Sequence, residues 1–345
     1  MKALVKNSLK AYDASLQNLD TPTPGPGEVV IKVHAAGICG TDTKIYQAHY
    51  HKYKTPVVMG HELSGTVVAV GCGVDDIKVG MPVAPRIQVT SCGRCRACIT
   101  GRDNLCGEKT RIGFEYDGAF AEYIKVRKEQ IHVLPADLDL TTASLTEAIA
   151  VIVHALRPAS IKPSDVVLVV GPGPIGLLAA FFAKTQGATV AISGISQDHN
   201  RFILAKELGV DLILVADDEA DAGMKELMAI TNGEGPDVVL ECSGTAAGVN
   251  AGLNLCRAAG RFVQIGTRST PVNVDFMKIA YKEIVVTGTI DHVPVDWQDA
   301  IKFIRKYQDK LSPMIKDIYP IDSWKEAFQA AEGGQVGKVI ISFPQ

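Results

Sequence analysis

Residues 166–183 read VVLVVGPGPIGLLAAFFA, and this stretch decides the fold of the central part of the chain. An apolar run at 166–170 leads directly into Gly171, Gly173 and Gly176, and a helix-length apolar run follows. The stretch is uncharged and reaches the lower length limit of a membrane span, but its Gly-Pro-Gly-Pro sequence would break a spanning helix. We therefore predict a buried strand, a tight turn and a buried helix.

The three glycines form the pattern G-x-G-x-x-G between this strand and this helix, which is the context that dinucleotide binding requires. Gly171 permits the tight turn, Gly173 lets the backbone approach a pyrophosphate, and Gly176 allows close packing of helix on strand. An ordinary glycine-rich turn is the alternative. We favour a nicotinamide dinucleotide, whose pyrophosphate the N–H groups of the helix N-terminus would bind. Further predicted cofactor contacts are Pro174, Ile175, Ser196, Arg201, Ser243, Ile265, Gly266 and Thr289.

The sequence around this motif alternates short apolar strands with helix-length runs such as 141–156 and 173–186. Continuous Val/Ile/Leu strands separated by helices indicate a doubly wound parallel sheet covered on both faces. The predicted strands are 166–170, 189–193, 211–215, 237–242, 261–266 and 284–290.

The first third of the chain has a different pattern, because residues 27–35, 64–70 and 120–126 alternate apolar and polar side chains between Gly/Pro turns. This part is predicted to be mainly β. After residue 291 two helices and the strand KVIISF leave no room for an independent core, so the tail should return to the first domain. We predict an α/β protein with domains at 1–145 plus 292–345 and at 146–291.

Four cysteines lie within SCGRCRACITGRDNLC, in a lobe at about 88–108. The spacing C-x2-C-x2-C-x7-C lets four thiolates converge on one tetrahedral Zn²⁺, which closes the metal shell and makes the site structural. Free buried thiols and an iron–sulfur cluster are the alternatives. The predicted ligands are Cys92, Cys95, Cys98 and Cys106.

A second, dispersed set of metal-binding side chains comprises Cys39 in AGICGTD, His61 and Glu62 in MGHELSG, and Glu147 in LTEAIAV. A catalytic zinc site takes about three protein ligands and leaves one position open, and these side chains are suitable donors. Taken singly, each is a weak signal, because a lone cysteine or histidine is usually a core residue.

Together these motifs resemble the zinc-dependent medium-chain alcohol and polyol dehydrogenases. GICGTD, GHE, the cysteine lobe, the T-E-A helix, GPGPIG and the terminal GKVIISF occur in that family's order over essentially the whole chain. The resemblance implies a GroES-like catalytic domain built from both chain ends and a Rossmann domain between them. It also implies two zinc ions per chain and hydride transfer between a secondary alcohol and NAD or NADP.

Carried onto matching positions, the resemblance makes Cys39 and His61 catalytic zinc ligands and Thr41 the hydroxyl that starts the proton relay. Glu62 and Glu147 share the remaining ligand and supporting roles, with a water as the other option. Asp42 would orient His61, because a ligating imidazole usually donates its other N–H to a carboxylate or carbonyl.

The matching third-ligand position carries Glu147 instead of the cysteine of the ethanol-oxidising branch, which resembles the sorbitol, iditol and sugar-alcohol-phosphate branch. The threonine dehydrogenase branch has a histidine where this chain has Val89, so threonine ranks lower, together with simple secondary alcohols. A zinc-free reductase would lack the lobe and the Cys39/His61 pair, and a non-catalytic zinc scaffold would lack some of these groups.

Substrate choice is expected to depend on the loop after the first ligand and on two arginines. An arginine fork would receive a substrate phosphate, whereas the alternative is that all of these are surface residues. The residues concerned are Tyr46, His49, Tyr50, His51, Arg86 and Arg111.

The choice between the two nicotinamide cofactors depends on the end of the second strand, which reads AISGISQDHNR. An NAD site has a carboxylate there that binds the ribose diol, but in this chain Ser193, Gly194 and Ser196 occupy these positions. Arg201 either reaches a 2′-phosphate or is a solvated helix residue, and Asp198 is the nearest acid. We expect NADP or dual use.

Composition excludes several other classes of protein. The 345 residues carry 35 basic and 38 acidic side chains, a net charge of -3, so a polyanion such as nucleic acid is not expected as a partner. The N-terminus lacks a signal-peptide pattern, and no membrane partner is expected, which favours the cytoplasm. By resemblance we expect a homodimer or homotetramer acting on a polyol or polyol phosphate.

Overall fold

The chain forms two units in this computed structural model, which describes residues 1–218, 220–268, 270–334 and 336–344. One unit is Met1–Ala150 with His292–Gln345, and the other is Val151–Asp291. The division falls five residues after the domain limit at 145 that the sequence suggests, and it coincides with the limit at 291.

The first unit is mainly β before residue 140, as predicted. Its strands are β1 (Lys2–Lys6), β2 (Ala14–Asn18), β3 (Glu28–Gly37), β4 (Val57–Val58), β5 (Glu62–Val70), β6 (Pro82–Pro85), β7 (Gln88–Thr90), β8 (Thr110–Arg111), β9 (Tyr123–Arg127) and β10 (Ile131–Val133). Its helices are α1 (Gly40–Tyr46), α2 (Arg96–Ile99), α3 (Leu140–Ala143) and the beginning of α4 (Thr146–Ala159), which continues into the second unit after Ala150. The single helix-length run at 141–156 thus forms two helices, with Ser144 and Leu145 between them.

The second unit is the predicted parallel sheet. Its strands are β11 (Val166–Val170), β12 (Thr189–Gly194), β13 (Leu212–Val215), β14 (Val238–Glu241), β15 (Arg261–Gln264) and β16 (Val285–Gly288). Its helices are α5 (Pro174–Thr185), α6 (His199–Glu207), α7 (Ala222–Ile230), α8 (Ala246–Leu255) and α9 (Met277–Tyr281). In the strand order β13-β12-β11-β14-β15-β16 all strands are parallel, and successive strands are added to one side of β11 up to β13 and to its other side from β14 onward. The topological switch point therefore lies between β11 and β14, which is where a doubly wound sheet binds its ligand.

The return of the chain to the first unit is also present. Its elements are α10 (Pro294–Leu311), β17 (Ile315–Pro320), α11 (Trp324–Glu332) and β18 (Lys338–Ser342). β18 pairs antiparallel with the carboxyl half of β3, while β5 pairs along the other edge of β3. β17, which the sequence did not suggest, pairs parallel with β18.

The core of the first unit sits between this sheet and the returning helix α11. Ile31 and Val33 of β3 are fully buried, and Trp324 and Phe328 of α11 pack against the same cluster. Burying a large apolar side chain contributes about 1.5–3 kcal/mol, so the terminal segment is part of the core. In the described part of the chain no helix has the length and apolar character needed to cross a membrane.

His132 on β10 gives the first unit a pH-dependent stability. Burial, aided by the positive charge of Arg86, lowers the pKa of this imidazole to about 4 from its ordinary value of 6.5. Between those pH values the unfolded chain binds a proton that the folded chain does not, so the free energy of unfolding falls as the pH drops through that window.

His132→Gln should flatten this dependence of the free energy of unfolding on pH, measured by urea unfolding at several pH values. The exposed His199→Gln is the control, and an equal slope in both variants would contradict the assignment.

Candidate active site and metal centres

Two adjacent strands bring the dispersed ligands together. Cys39 caps α1 just beyond the end of β3, and Glu62 is the first residue of β5, paired with Gly37 at the end of β3. His61 immediately precedes it. One ligand atom from each of Cys39, His61 and Glu62 lies within 4.8 Å of the others, and both His61 and Glu62 are buried. The donor set of one thiolate, one imidazole and one carboxylate fits a zinc ion with an open position.

Asp42 lies beside the imidazole of His61, on the side of Nδ1. This carboxylate is fully buried, its Oδ2 accepts the backbone N–H of Cys39 at 2.9 Å, and its Oδ1 lies 3.3 Å from Nδ1 of His61. Burial works against the charged imidazole, but Asp42 and then Cys39 outweigh it and raise the pKa of His61 well above its ordinary value. Because Nδ1 faces Asp42, Nε2 is the nitrogen left for a metal.

Lys338, the first residue of β18, holds the carboxylate of Glu62. Its Nζ donates to Oε1 of Glu62 at 2.7 Å and to the carbonyl of Ile38 at 3.2 Å, and both charged side chains are almost fully buried. Burial disfavours the ammonium, yet Glu62, Cys39 and Glu147 together raise the pKa of Lys338. Glu62 therefore has a fixed cationic partner in addition to its place among the zinc donors.

Glu147 lies next to this group without belonging to the three-donor set. It sits in the first turn of α4, and its Oε1 is 3.8 Å from Nε2 of the buried His292. It is close enough to Lys338 to affect that residue's pKa. The geometry thus puts Glu62 among the donors and Glu147 beside them.

The cysteine lobe brings its four sulfur atoms within 4.8 Å of one another. The backbone N–H groups of Arg94 and Cys95 point at Cys92 and lower the pKa of this thiol to about 6, which favours the thiolate form that zinc binds. The atoms of the lobe that could hold a metal ion are Sγ of Cys92, Cys95, Cys98 and Cys106.

The two arginines considered for a substrate phosphate have internal partners. Arg86 is buried, and its NH2 group contacts both oxygens of Asp103 at 2.9 and 3.1 Å. Arg111 is paired with Glu115 at 3.1 Å. The alternative that these are surface residues is wrong for Arg86, because the lobe supplies its carboxylate partner.

The other predicted substrate-side residues lie on α1 and in the loop after it. The ring of Tyr46 packs edge-on against Trp324 and Phe328. Tyr50 accepts a hydrogen bond from Arg111, His49 and His51 are exposed, and Thr41 is the second residue of α1.

The glycine loop of the second unit has the shape that a pyrophosphate needs. Gly171 has φ +96°, and a Cβ there would lie 2.8 Å from Cβ of Ser243. A Cβ on Gly176 would lie 1.9 Å from the carbonyl oxygen of Gly171, so only glycine permits this helix to approach. A Cβ on Gly173, the N-cap of α5, would meet no atom within 4 Å. Pro174 and Ile175 form the first turn of α5.

Glu241, at the carboxyl end of β14, shapes the neighbouring cofactor loops. Its fully buried carboxylate accepts backbone N–H groups of Ser243 at 2.9 Å and Gly244 at 3.0 Å, the hydroxyl of Ser243, and Nε2 of Gln264 at 2.6 Å. Its carbonyl accepts the N–H groups of the predicted contacts Ile265 and Gly266. Thr289 follows β16 with a buried hydroxyl.

Two aspartates bind the backbone that follows β12, Asp198 from the same segment and Asp217 from the segment after β13. Asp217 accepts both the backbone N–H and the hydroxyl of Ser196, at 2.8 and 2.7 Å, and these bonds lower the pKa of its carboxyl group. Asp198 accepts the N–H of Ile195 and pairs with Arg201 at 2.7 Å.

Sequence reasoning missed three of these residues. Asp217 reaches Ser196 from beyond the next strand, and Glu241 belongs to a predicted strand in which nothing marks it as a loop-holding carboxylate. Lys338 lies in the terminal motif GKVIISF, and its place in that motif is the sequence signal that points to it.

The fold and the sites define a zinc-dependent oxidoreductase that uses a nicotinamide cofactor. The alcohol dehydrogenase GroES-like domain matches residues 25–136, and the zinc-binding dehydrogenase domain matches residues 174–306. The chain belongs to the zinc-dependent medium-chain alcohol and polyol dehydrogenases, and the predictions of family, fold class and NAD(P)-dependent enzyme are confirmed.

Three curated relatives align along nearly the whole chain. A sorbitol dehydrogenase of Halalkalibacterium halodurans is 39% identical, covering 99% of each chain. A D-arabitol-phosphate dehydrogenase of Enterococcus avium is 37% identical, covering 100% of this chain and 98% of the other. An L-threonine 3-dehydrogenase of Bacillus velezensis is 35% identical, covering 99% and 98%.

Two solved structures have the same fold. A zinc-binding dehydrogenase from Sinorhizobium meliloti bound to NADP has a TM-score of 0.90 at 30% identity, covering 99% of this chain and 98% of that one. An alcohol dehydrogenase from Escherichia coli complexed with NADH has a TM-score of 0.90 at 28% identity, covering 99% of each.

The lobe geometry predicts the effect of removing one of its thiols. Cys92→Ser should remove one zinc ion per chain and lower the thermal midpoint, while most of the second metal stays in place, because the two donor sets share no residue. Metal content by mass spectrometry and thermal unfolding are the measurements, with the exposed Cys72→Ser as the matched control. A folded Cys92→Ser protein with full metal content would refute the structural zinc site.

Proposed function

We propose that this protein oxidises a secondary hydroxyl of a polyol to the ketone, with NAD or NADP as hydride acceptor, and that it also catalyses the reverse reaction. The observation that carries the proposal is the buried set of Cys39, His61 and Glu62. We assign the catalytic zinc to it and the structural zinc to the four-cysteine lobe, two ions per chain. We further assign catalysis to 1–145 with 292–345 and cofactor binding to 146–291.

Zinc bound to these donors would lower the pKa of an alcohol hydroxyl, and the nicotinamide ring would accept the hydride. The protein's own residues prepare that chemistry. Asp42 faces Nδ1 of His61 at 3.3 Å and would favour the tautomer that leaves Nε2 for the metal, and Lys338 limits the movement of the Glu62 carboxylate. Thr41, two residues after Cys39, is the hydroxyl we assign to carry the released proton away.

An unphosphorylated polyol is the substrate class that the side chains favour. The forks of Arg86 and Arg111 already bind Asp103 and Glu115, so a phosphate at either arginine would meet a carboxylate of its own sign. The curated relative named for sorbitol agrees with this choice. A sugar-alcohol phosphate is the second candidate, supported by the relative named for D-arabitol phosphate.

We further propose a cytoplasmic homodimer or homotetramer. None of the eight cysteines is in a disulfide, and five of them belong to the two proposed zinc sites, which fits a reducing compartment. Strand β16 lies at the edge of the parallel sheet and exposes Val285 and Val286, and an exposed apolar edge strand favours pairing with another chain.

The reaction is tested with the zinc-loaded protein, a panel of polyols, polyol phosphates and L-threonine, and both cofactors, followed by absorbance of the reduced nicotinamide. We expect turnover of at least one polyol, with Cys39→Ala and His61→Ala each abolishing it. Both variants should still bind NADH, measured by fluorescence, because the glycine loop lies in the other unit. Normal kcat in either variant would refute the zinc site, and turnover of threonine alone would refute the substrate class.

Cofactor choice is tested at the two charged residues after β12. We propose use of both NADP and NAD, because Gly194 stands where an NAD site has a carboxylate and Arg201 lies one helical turn beyond Asp198. Arg201→Ala should lower kcat/KM for NADP about tenfold or more, the value of a hydrogen bond to a charged group, and leave NAD use unchanged. Asp198→Asn should raise NADP use, because it frees Arg201 from its carboxylate. Strict dependence of the unmodified protein on NAD would overturn this proposal.

Gly194→Asp is a less suitable test. A Cβ at Gly194 would lie 2.7 Å from Oδ2 of Asp198 and 2.8 Å from Cγ of Pro172, so the substitution would shift the loop as well as add a charge.

A further inference from the structure

Segment 111–115 packs directly on a catalytic zinc ligand. The ring centroid of Phe114 lies 5.2 Å from that of His61, and Phe114 is 3% exposed. The guanidinium carbon of Arg111 lies 4.0 Å from the centroid of the same ring. The phenyl ring of Phe114 therefore lies between the proposed zinc ligand His61 and the partly buried guanidinium of Arg111.

Arg111 also reaches the loop that follows α1. Its NH1 group donates to the hydroxyl of Tyr50 at 3.3 Å, and its NH2 group donates to the carbonyl of Lys52 at 3.3 Å. The backbone N–H of Lys54 donates to the carbonyl of Phe114 at 2.9 Å. Three hydrogen bonds thus join residues 50–54 to residues 111–114.

The charge of Arg111 is balanced within the protein. Its side chain is 12% exposed, and Oε1 of Glu115 lies 3.1 Å from its NH2 group. Oε2 of Glu115 accepts the backbone N–H of Arg111 at 2.8 Å, so Glu115 binds both the side chain and the backbone of Arg111. Burial works against the guanidinium charge, but Glu115 and Tyr50 outweigh it and raise the pKa of Arg111.

Only an arginine makes this set of contacts. Its planar fork presents several donors in fixed directions and stacks on an aromatic ring, whereas a lysine ammonium is a compact point charge. A lysine at position 111 would keep the charge beside Glu115 and lose the simultaneous contacts with Tyr50 and Lys52. The conservative substitution therefore separates the geometry of the fork from its charge.

The 47–54 loop is linked to Cys39 through helix α1 and to His61 through the segment that contains Phe114. It leaves the end of α1, the helix that Cys39 caps, and it is bonded to the segment whose Phe114 packs on His61. Its Tyr50 ring also packs edge-on against Phe114 at 5.9 Å. The position of Tyr50 relative to the metal site is therefore set by the contacts of Arg111 and Phe114.

We propose that Arg111 is a positioning residue that holds Tyr50 and the 47–54 loop against the active site and thereby supports the binding of a polyol. This proposal rests on the proposed function for its substrate class. It differs from a role in which Arg111 binds a phosphate of the substrate, because Arg111 acts here through its contacts with the protein.

The first test measures the loop without any substrate. Hydrogen–deuterium exchange of the full-length, zinc-loaded protein is compared with that of Arg111→Lys and Tyr50→Phe. We expect the amide of Lys54 and its neighbours in 50–54 to exchange about tenfold faster in Arg111→Lys, as loss of a hydrogen bond to a charged group implies. Arg305→Lys, an exposed arginine paired with Asp137 in the same unit, is the matched control and should leave this segment unchanged. Unchanged exchange in Arg111→Lys would overturn the proposal.

The second test is kinetic and uses a double-mutant cycle. For the polyol oxidised best, Arg111→Lys should raise KM about tenfold with a much smaller change in kcat, since the zinc ligands themselves are intact. The double variant with Tyr50→Phe should be no worse than Arg111→Lys alone, because the two substitutions break one shared interaction. Additive effects, or a loss confined to phosphorylated substrates, would overturn the positioning role.

The two proposals fail separately. If the unmodified protein oxidises no polyol, the proposed function fails, while the exchange measurement still decides whether Arg111 holds the loop. If polyols are oxidised but exchange and KM do not change in Arg111→Lys, only the positioning role fails.

Discussion

The buried ion pair between Glu62 and Lys338 is the interaction on which the catalytic unit depends. Asp42, Glu62 and Glu147 are all buried carboxylates near Cys39, and unpaired buried charge is costly. The Lys338 ammonium comes from the last strand of the chain and is the cation that the protein itself supplies to Glu62. A zinc ion would supply further positive charge to the same cluster. The return of the chain to the first unit is therefore an electrostatic requirement as well as a way to complete the sheet.

Strand β3 makes that arrangement possible. It pairs with β5 along one edge and with β18 near its carboxyl end, so Glu62 and Lys338 meet beside the end of the strand from which Cys39 follows. The cysteine lobe is joined to the same unit by the bond of Arg86, just after β6, to Asp103. Removing one partner of the buried Glu62–Lys338 pair would leave an uncompensated charge, which costs about 3–5 kcal/mol.

The cofactor unit uses carboxylates in another way. Glu241 accepts several backbone N–H groups and thereby holds the loop after β14, while its carbonyl holds the loop after β15. Asp217 does the same for Ser196 after β12. These loops all leave the carboxyl edge of one parallel sheet, so fixing them shapes a single binding edge. The glycine loop is held instead by the backbone N–H of Gly171, which donates to the carbonyl of Ser193 at 2.8 Å, and by the close packing of Gly176 on Gly171.

Local patterns in the sequence were enough for the parallel strands, the glycine loop and the cysteine lobe, because each depends on neighbours within a few residues, and the order of these motifs along the chain was enough for the family. Strand Val166–Val170 formed as predicted, and the short cysteine spacings left the thiols little freedom to lie apart. Tertiary structure alone decided that Lys338 meets Glu62 and that Asp217 meets Ser196. It also decided that Arg86 is paired inside the protein and that Arg111 stacks on Phe114 beside His61. These contacts depend on which strands are neighbours and in what register, and no local pattern encodes a register between segments far apart in the chain.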